Sequence, residues 1–216
     1  AAMLTQDQIE QFHRDGLIVV PDVLPAAVLG AIKDEYKTLL DGLYDGWHAQ
    51  GLVPEAGGMD FWQKLLVSYE AGCDWFQPMD ISLPGGEIAA DTPFHFGPSV
   101  FDMITAPRLL DLVECLIGPE ITSNPIQHVR LKPPAPRLHG EEERPHIMAT
   151  DWHQDRAVAH EEGDRTQMVT VWLAISDATV ENGCLQAIAG KPQMYPHCPK
   201  KQTAIADGFL DFDKAE

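Results

Sequence analysis

Long apolar runs are missing from this chain. Its longest, such as Leu17 to Val20 and Met168 to Ile175, fall well short of the ~20 residues that a helix needs to cross a bilayer. No basic stretch leads into an apolar one near the start, so no signal peptide is expected. Cysteine is scarce: Cys73, Cys115, Cys184 and Cys198 show no C-x-x-C spacing. That excludes a disulfide framework and a zinc site, and predicts reduced thiols in a cytoplasmic protein. Basic residues are few, 15 against 33 acidic, for a formal charge of −18. Such a surface repels phosphate backbones and anionic lipid, so neither nucleic acid nor membrane is an expected partner. Internal repeats and low-complexity tracts are absent as well. What remains is an ordinary soluble composition, 44% apolar and 22% charged, in 216 residues, enough for one core.

The punctuation of the N-terminal part is clear. Thr5 followed by Gln8 forms a capping box, Leu4 and Ile9 stand at staple positions, and Gly16 stops the first helix. Leu17 to Val20 reads as a short buried strand closed by Pro21. Pro25 opens a second helix to about Leu40, with Val28, Leu29, Ile32, Tyr36, Leu39 and Leu40 on its apolar side. Regularity is then lost from 42 to 99, apart from one helix near Asp60 to Tyr69, in a loop-rich insertion. Its aromatics, among them Trp47, Trp62, Trp75 and Phe96, cover the mouth of a site or form a satellite core. A further helix from about Pro107 to Ile117 ends at Gly118-Pro119. Strand patterns follow at Ile121 to Leu131, near Asp151 to Val158, at Met168 to Ile175 and at Cys184 to Ala189. Helices first and strands second predict an α+β arrangement, a helical part over 1–118 and a mainly β core over 119–216.

The chemistry-bearing segment is Asp151-Trp152-His153-Gln154-Asp155-Arg156. On a strand, His153 and Asp155 point to one face because side chains alternate with period two. An imidazole and a carboxylate side by side make two parts of the two-His-one-carboxylate facial triad of non-haem iron oxygenases. The bland alternative is a surface hydrogen-bonded pair.

Other motifs stand around it in order: Gly118-Pro119-Glu120-Ile121, Leu131-Lys132-Pro133-Pro134, Trp152-His153-Gln154-Asp155, Val171-Trp172-Leu173-Ala174 and Glu181-Asn182-Gly183-Cys184-Leu185-Gln186. Together with the opening Leu4-Thr5-Gln6-Asp7-Gln8-Ile9 and Asp15-Gly16, this series resembles the phytanoyl-CoA dioxygenase family. The resemblance covers most of the chain and is weakest over 42–99. It implies a double-stranded β-helix, a cupin-like jelly roll with flanking N-terminal helices. It implies Fe(II) held by His153 and Asp155, with 2-oxoglutarate and O2 as cosubstrates. Gln154, Trp172 and His128 fall where the family contacts the cosubstrate. Trp172 also suits a core-packing role and His128 a structural one, satisfied by backbone carbonyls. The implied reaction oxidises a small organic molecule while 2-oxoglutarate loses CO2 to give succinate. Halogenating relatives replace the acid of the H-x-D motif, so Asp155 favours hydroxylation or another oxidation.

The sequence departs from the family at its far end. After His160 the only histidine is His197, in Tyr195-Pro196-His197-Cys198-Pro199, and no arginine follows it. The third iron ligand and the basic partner of the cosubstrate's distal carboxylate are therefore not found. The expectation is a single oxygenase domain over 1–216 whose jelly roll lacks its last strands, with the natural chain continuing past Glu216. His139, His146 or His160 would be the alternative source of a third nitrogen. The competing class is a non-catalytic jelly-roll binding protein that has lost the complete metal site; a cupin-type hydrolase or isomerase comes third.

Overall fold

The structure is a computed structural model, and it describes residues 3–83, 87–134, 147, 153, 155 and 165–190. The backbone falls into two compact units. The first comprises Ala1–Val23, Pro107–Ile121 and Thr150–Glu216; the second comprises Leu24–Ala106 and Thr122–Ala149.

In the first unit, α1 (Gln6–Asp15) begins at the expected capping box. The Thr5 hydroxyl accepts the Gln8 N–H, and the Gln8 side chain accepts the Thr5 N–H in return. Gly16 ends the helix in the left-handed region at φ 74, its N–H donating to the Phe12 carbonyl. The second helix of this unit, α6 as numbered along the whole chain (Pro107–Ile117), ends the same way: Gly118 has φ 86 and donates to Glu114. Leu4, Leu109 and Leu112 are buried here.

The expected buried strand at Leu17 to Val20 is not seen. These residues form no ladder among the described residues, and Val19 is exposed. A run of four apolar residues has no means of fixing which face is inward unless a neighbour pairs with it. One backbone bond does reach this segment's edge, from the Gly190 N–H to the Asp15 carbonyl at 3.0 Å.

In the second unit, α2 (Ala26–Ala49) buries Ile32, Tyr36, Leu40 and Tyr44, one residue every four along a single stripe. The helix therefore runs past the end expected at Leu40. Gly42 and Gly46 do not break it, because the burial of Tyr44 extends the inward stripe beyond them. Nor is 42–99 a stretch of loop with one helix. It holds the end of α2, then α3 (Phe61–Glu70), α4 (Phe76–Met79) and the start of α5 (Pro98–Ile104). Both α4 and α5 are too short to show a period and owe their existence to packing against α2.

The Asp60 carboxylate caps α3 in a second capping box with Gln63. Lys64 then reaches Asp41 of α2 at 2.6 Å, and Asp41 also takes Lys37 from its own helix. Tyr44, Val53 and Cys73 form a cluster ringed by Trp47, Ala56, Met59 and Val67, so part of the aromatic-rich stretch is a satellite core. The Tyr44 hydroxyl, buried with them, donates to the Pro54 carbonyl at 3.0 Å. Gly97 is required where it stands: φ is 61, and a Cβ there would lie 2.6 Å from Ile81 Cγ2.

The segments expected as strands over 121–131, 168–175 and 184–189 carry no ladder among the described residues. A ladder is a property of two strands at once, and the expected strand near 151–158 lies almost wholly outside the described residues.

Candidate metal centre

His153 and Asp155, two residues apart in the first unit, meet through their side chains, although Asp155 stands in a 3-10 turn rather than on a strand. The His153 Nε2–H donates to Asp155 Oδ1 at 3.2 Å. Two ligands held at about 2.1 Å from one ion, at right angles, stand about 3.0 Å apart. The 3.2 Å separation is that of an ordinary hydrogen bond and is also compatible with two neighbouring ligands of one ion. Side-chain exposures of 34% and 47% leave both groups partly open to solvent. One nitrogen and one carboxylate oxygen match the mixed donor set of the facial triad, so the pair fits Fe(II). No group of three or more histidine, cysteine or acidic side chains gathers among the described residues. Gln154, His139, His146, His160 and His197 lie outside the described residues.

Trp172, also in the first unit, is half exposed and so is not the core residue its apolar run would make it. His128 belongs to the second unit. Its ring is satisfied by a carboxylate where a backbone carbonyl was the expected structural partner: Nδ1–H donates to Asp80 Oδ2 at 2.8 Å. Phe76 lies against the same ring with centroids 6.4 Å apart, and the Arg130 guanidinium sits over Phe76 at 5.6 Å. Burial pulls Arg130 below its ordinary value, and the Asp80 charge opposes that pull. Burial also lowers Lys132, helped by the neighbouring Arg130.

A second carboxylate–imidazole pair in this unit joins α2 to the approach of α5. His95 Nε2–H donates to Glu35 Oε1 at 2.5 Å, and the Ser99 N–H donates to Glu35 Oε2 at 2.8 Å. Burial alone would raise the Glu35 carboxyl, but the bonds from Ser99 and His95 outweigh it and hold the group below its ordinary value. The His95 ring stands edge-on to Tyr36 at 5.4 Å. Sequence reading passed over Glu35 because it stands beside the buried stripe, one residue before Tyr36. It passed over Asp80 because an acid in a glycine- and aromatic-rich stretch carries no periodic signal.

The Tyr36 hydroxyl is buried with no hydrogen-bond partner among the described residues. Burial first, then the charges of Asp80 and Glu35, push its ionisation well above the ordinary range. An unsatisfied buried hydroxyl is a cost that phenylalanine removes. Tyr36→Phe is therefore expected to leave the urea midpoint unchanged or to raise stability by up to about 1 kcal/mol. A loss larger than that would show that the hydroxyl has a partner, such as a trapped water.

A family model described as phytanoyl-CoA dioxygenase (PhyH) matches residues 12–207. The chain belongs to that family. The family is in general one of dioxygenases that use Fe(II) and 2-oxoglutarate, so it supports an oxidoreductase here. No curated protein and no solved structure matches the chain. Among the described residues no helix is long and apolar enough to cross a membrane.

Proposed function

We propose that this chain is an Fe(II)- and 2-oxoglutarate-dependent dioxygenase that hydroxylates or otherwise oxidises a small organic molecule. The carrying observation is the His153–Asp155 pair, 3.2 Å apart at ligand spacing, within a family match that spans 12–207. In this reading the mainly β part is a jelly roll, and the protein works in the reducing cytoplasm. The scarcity of cysteine, with no C-x-x-C spacing, supports that compartment.

His153 and Asp155 would hold the iron, and Gln154, Trp172 and His128 would contact 2-oxoglutarate. Bound iron with its cosubstrate supplies oxygen activation, paid in the conversion of 2-oxoglutarate to succinate and CO2. The chain's residues bind and orient. The imidazole gives a neutral nitrogen donor, and the carboxylate lowers the net charge at the metal by one. The Trp172 indole, half exposed, has an N–H that can donate to a carboxylate oxygen. Asp155 fills the position that a halide would need, which favours oxygen insertion over halogenation.

Anaerobic addition of Fe(II) and 2-oxoglutarate to the purified chain is expected to give the weak visible charge-transfer band of the chelate. Absence of the band, with iron shown not to bind, would favour the alternative, a jelly-roll binding protein without a working metal site.

A further inference from the structure

Three short segments of the first unit border a cavity of about 230 Å³. Leu4 and Gln8 line it at the start of α1, Val20 and Val23 in the connection that follows, and Arg108 and Leu112 on α6. Between the two valines the chain turns at Asp22, whose backbone lies in the left-handed region at φ 55. Leu4 and Leu112 are buried, so most of the wall is apolar. The Leu17 to Val20 run, which joins no ladder among the described residues, gives its last side chain to this wall instead.

Two polar side chains complete the lining, and both offer donors. Gln8 Oε1 is taken up by the Thr5 N–H at 2.9 Å and the Thr5 hydroxyl at 3.3 Å, which leaves Nε2 as the amide's remaining polar atom. Among the described residues neither Gln8 Nε2 nor the Arg108 guanidinium has a hydrogen-bond or ion-pair partner. In a chain of formal charge −18 an acid would be the ordinary partner of Arg108, yet Asp111 and Glu114 of the same helix border a neighbouring hollow. Arg108 also stands in the first turn of α6, where the helix dipole disfavours a cation, so helix formation does not account for it.

Unpartnered donors beside an apolar wall complement an anionic head carrying an apolar chain. The planar guanidinium fork matches the two oxygens of a carboxylate. A phosphate brings a third oxygen and more charge, for which this wall has no further donor. Drug-sized ligands take about 300–1,000 Å³, so the occupant here is smaller. We infer that the cavity binds a small monocarboxylate. Arg108 and Gln8 Nε2 donate to its carboxylate, and a chain of about four to six carbons lies against Leu4, Val20, Val23 and Leu112. No lining residue belongs to the proposed metal site or its cosubstrate contacts, so the inference does not depend on that reading.

The test is a titration of the full 15N-labelled chain with sodium hexanoate. Saturable movement of the Gln8, Val20, Val23 and Leu112 amide signals is expected. Affinity should rise about fourfold for each CH2 from butanoate to hexanoate, as more apolar surface meets the wall. Arg108→Gln removes a charged donor and is expected to weaken hexanoate binding at least about tenfold. Gln8→Glu keeps the capping box with Thr5 but puts a carboxylate in place of the amide, and is expected to weaken binding at least as much. Neither side chain is buried, so circular dichroism should show the helices of both variants intact. Hexanamide, of the same shape without the charge, and inorganic phosphate are each expected to bind at least about tenfold more weakly than hexanoate. Lining signals that do not move in the wild type would overturn the inference, as would either variant binding hexanoate undiminished. Phosphate binding as tightly as hexanoate would overturn it in favour of a generic anion contact, and hexanamide doing so would leave only an apolar one.

Discussion

His153→Ala is expected to abolish the visible band of the iron chelate and to reduce conversion of 2-oxoglutarate to succinate by at least about 100-fold. Losing even an outer partner of a metal ligand commonly costs about 10–100-fold in metal affinity or activity, and in the proposed function His153 would itself be a ligand. The side chain is one-third exposed, so its removal leaves no fully buried cavity. Thermal unfolding should therefore hardly change, which separates a lost ligand from a lost fold. If the pair were only a surface hydrogen bond, His153→Ala would cost at most about 1 kcal/mol of stability and nothing in iron binding. Band and turnover surviving the substitution would mean that iron sits elsewhere. Asp155→Asn makes a useful companion: it keeps an oxygen donor but removes the charge, so weaker iron binding is expected with the band retained at high metal concentration.

How much of this was readable without coordinates depends on the range over which each feature is decided. Both ends of α1, the cap of α3 and the Gly118 stop of α6 are local hydrogen-bond problems, and the sequence carries them within four or five residues. The contact of His153 with Asp155 is equally local, between side chains two residues apart. The end of α2 is not local. Gly42 and Gly46 argue for stopping, yet Tyr44 finds a cluster with Val53 and Cys73, and that long-range burial outweighs two poor helix formers. The same holds for α4 and α5, which have four and seven residues and no period to read. His128 meets Asp80 across 48 positions, so nothing near either residue announces the other.

Trp75 shows how burial without a polar bond should behave. It is 1% exposed, stands just before α4, and meets the Tyr69 ring edge-on at 5.8 Å. Its indole Nε1 has no hydrogen-bond partner among the described residues. Trp75→Ala removes the largest fully buried side chain among the described residues and is expected to cost about 3–5 kcal/mol, a large share of a domain's stability. Trp75→Phe keeps an aromatic ring against Tyr69 and discards an N–H whose burial is unfavourable. The two terms oppose each other: a smaller ring leaves some empty volume, while the lost N–H returns part of the cost. The expected net is about 1–2 kcal/mol, well under half the alanine value. Urea unfolding followed by circular dichroism gives both numbers. Equal losses for the two variants would mean that the indole N–H holds a partner in solution, and that this corner of the core is polar rather than dry.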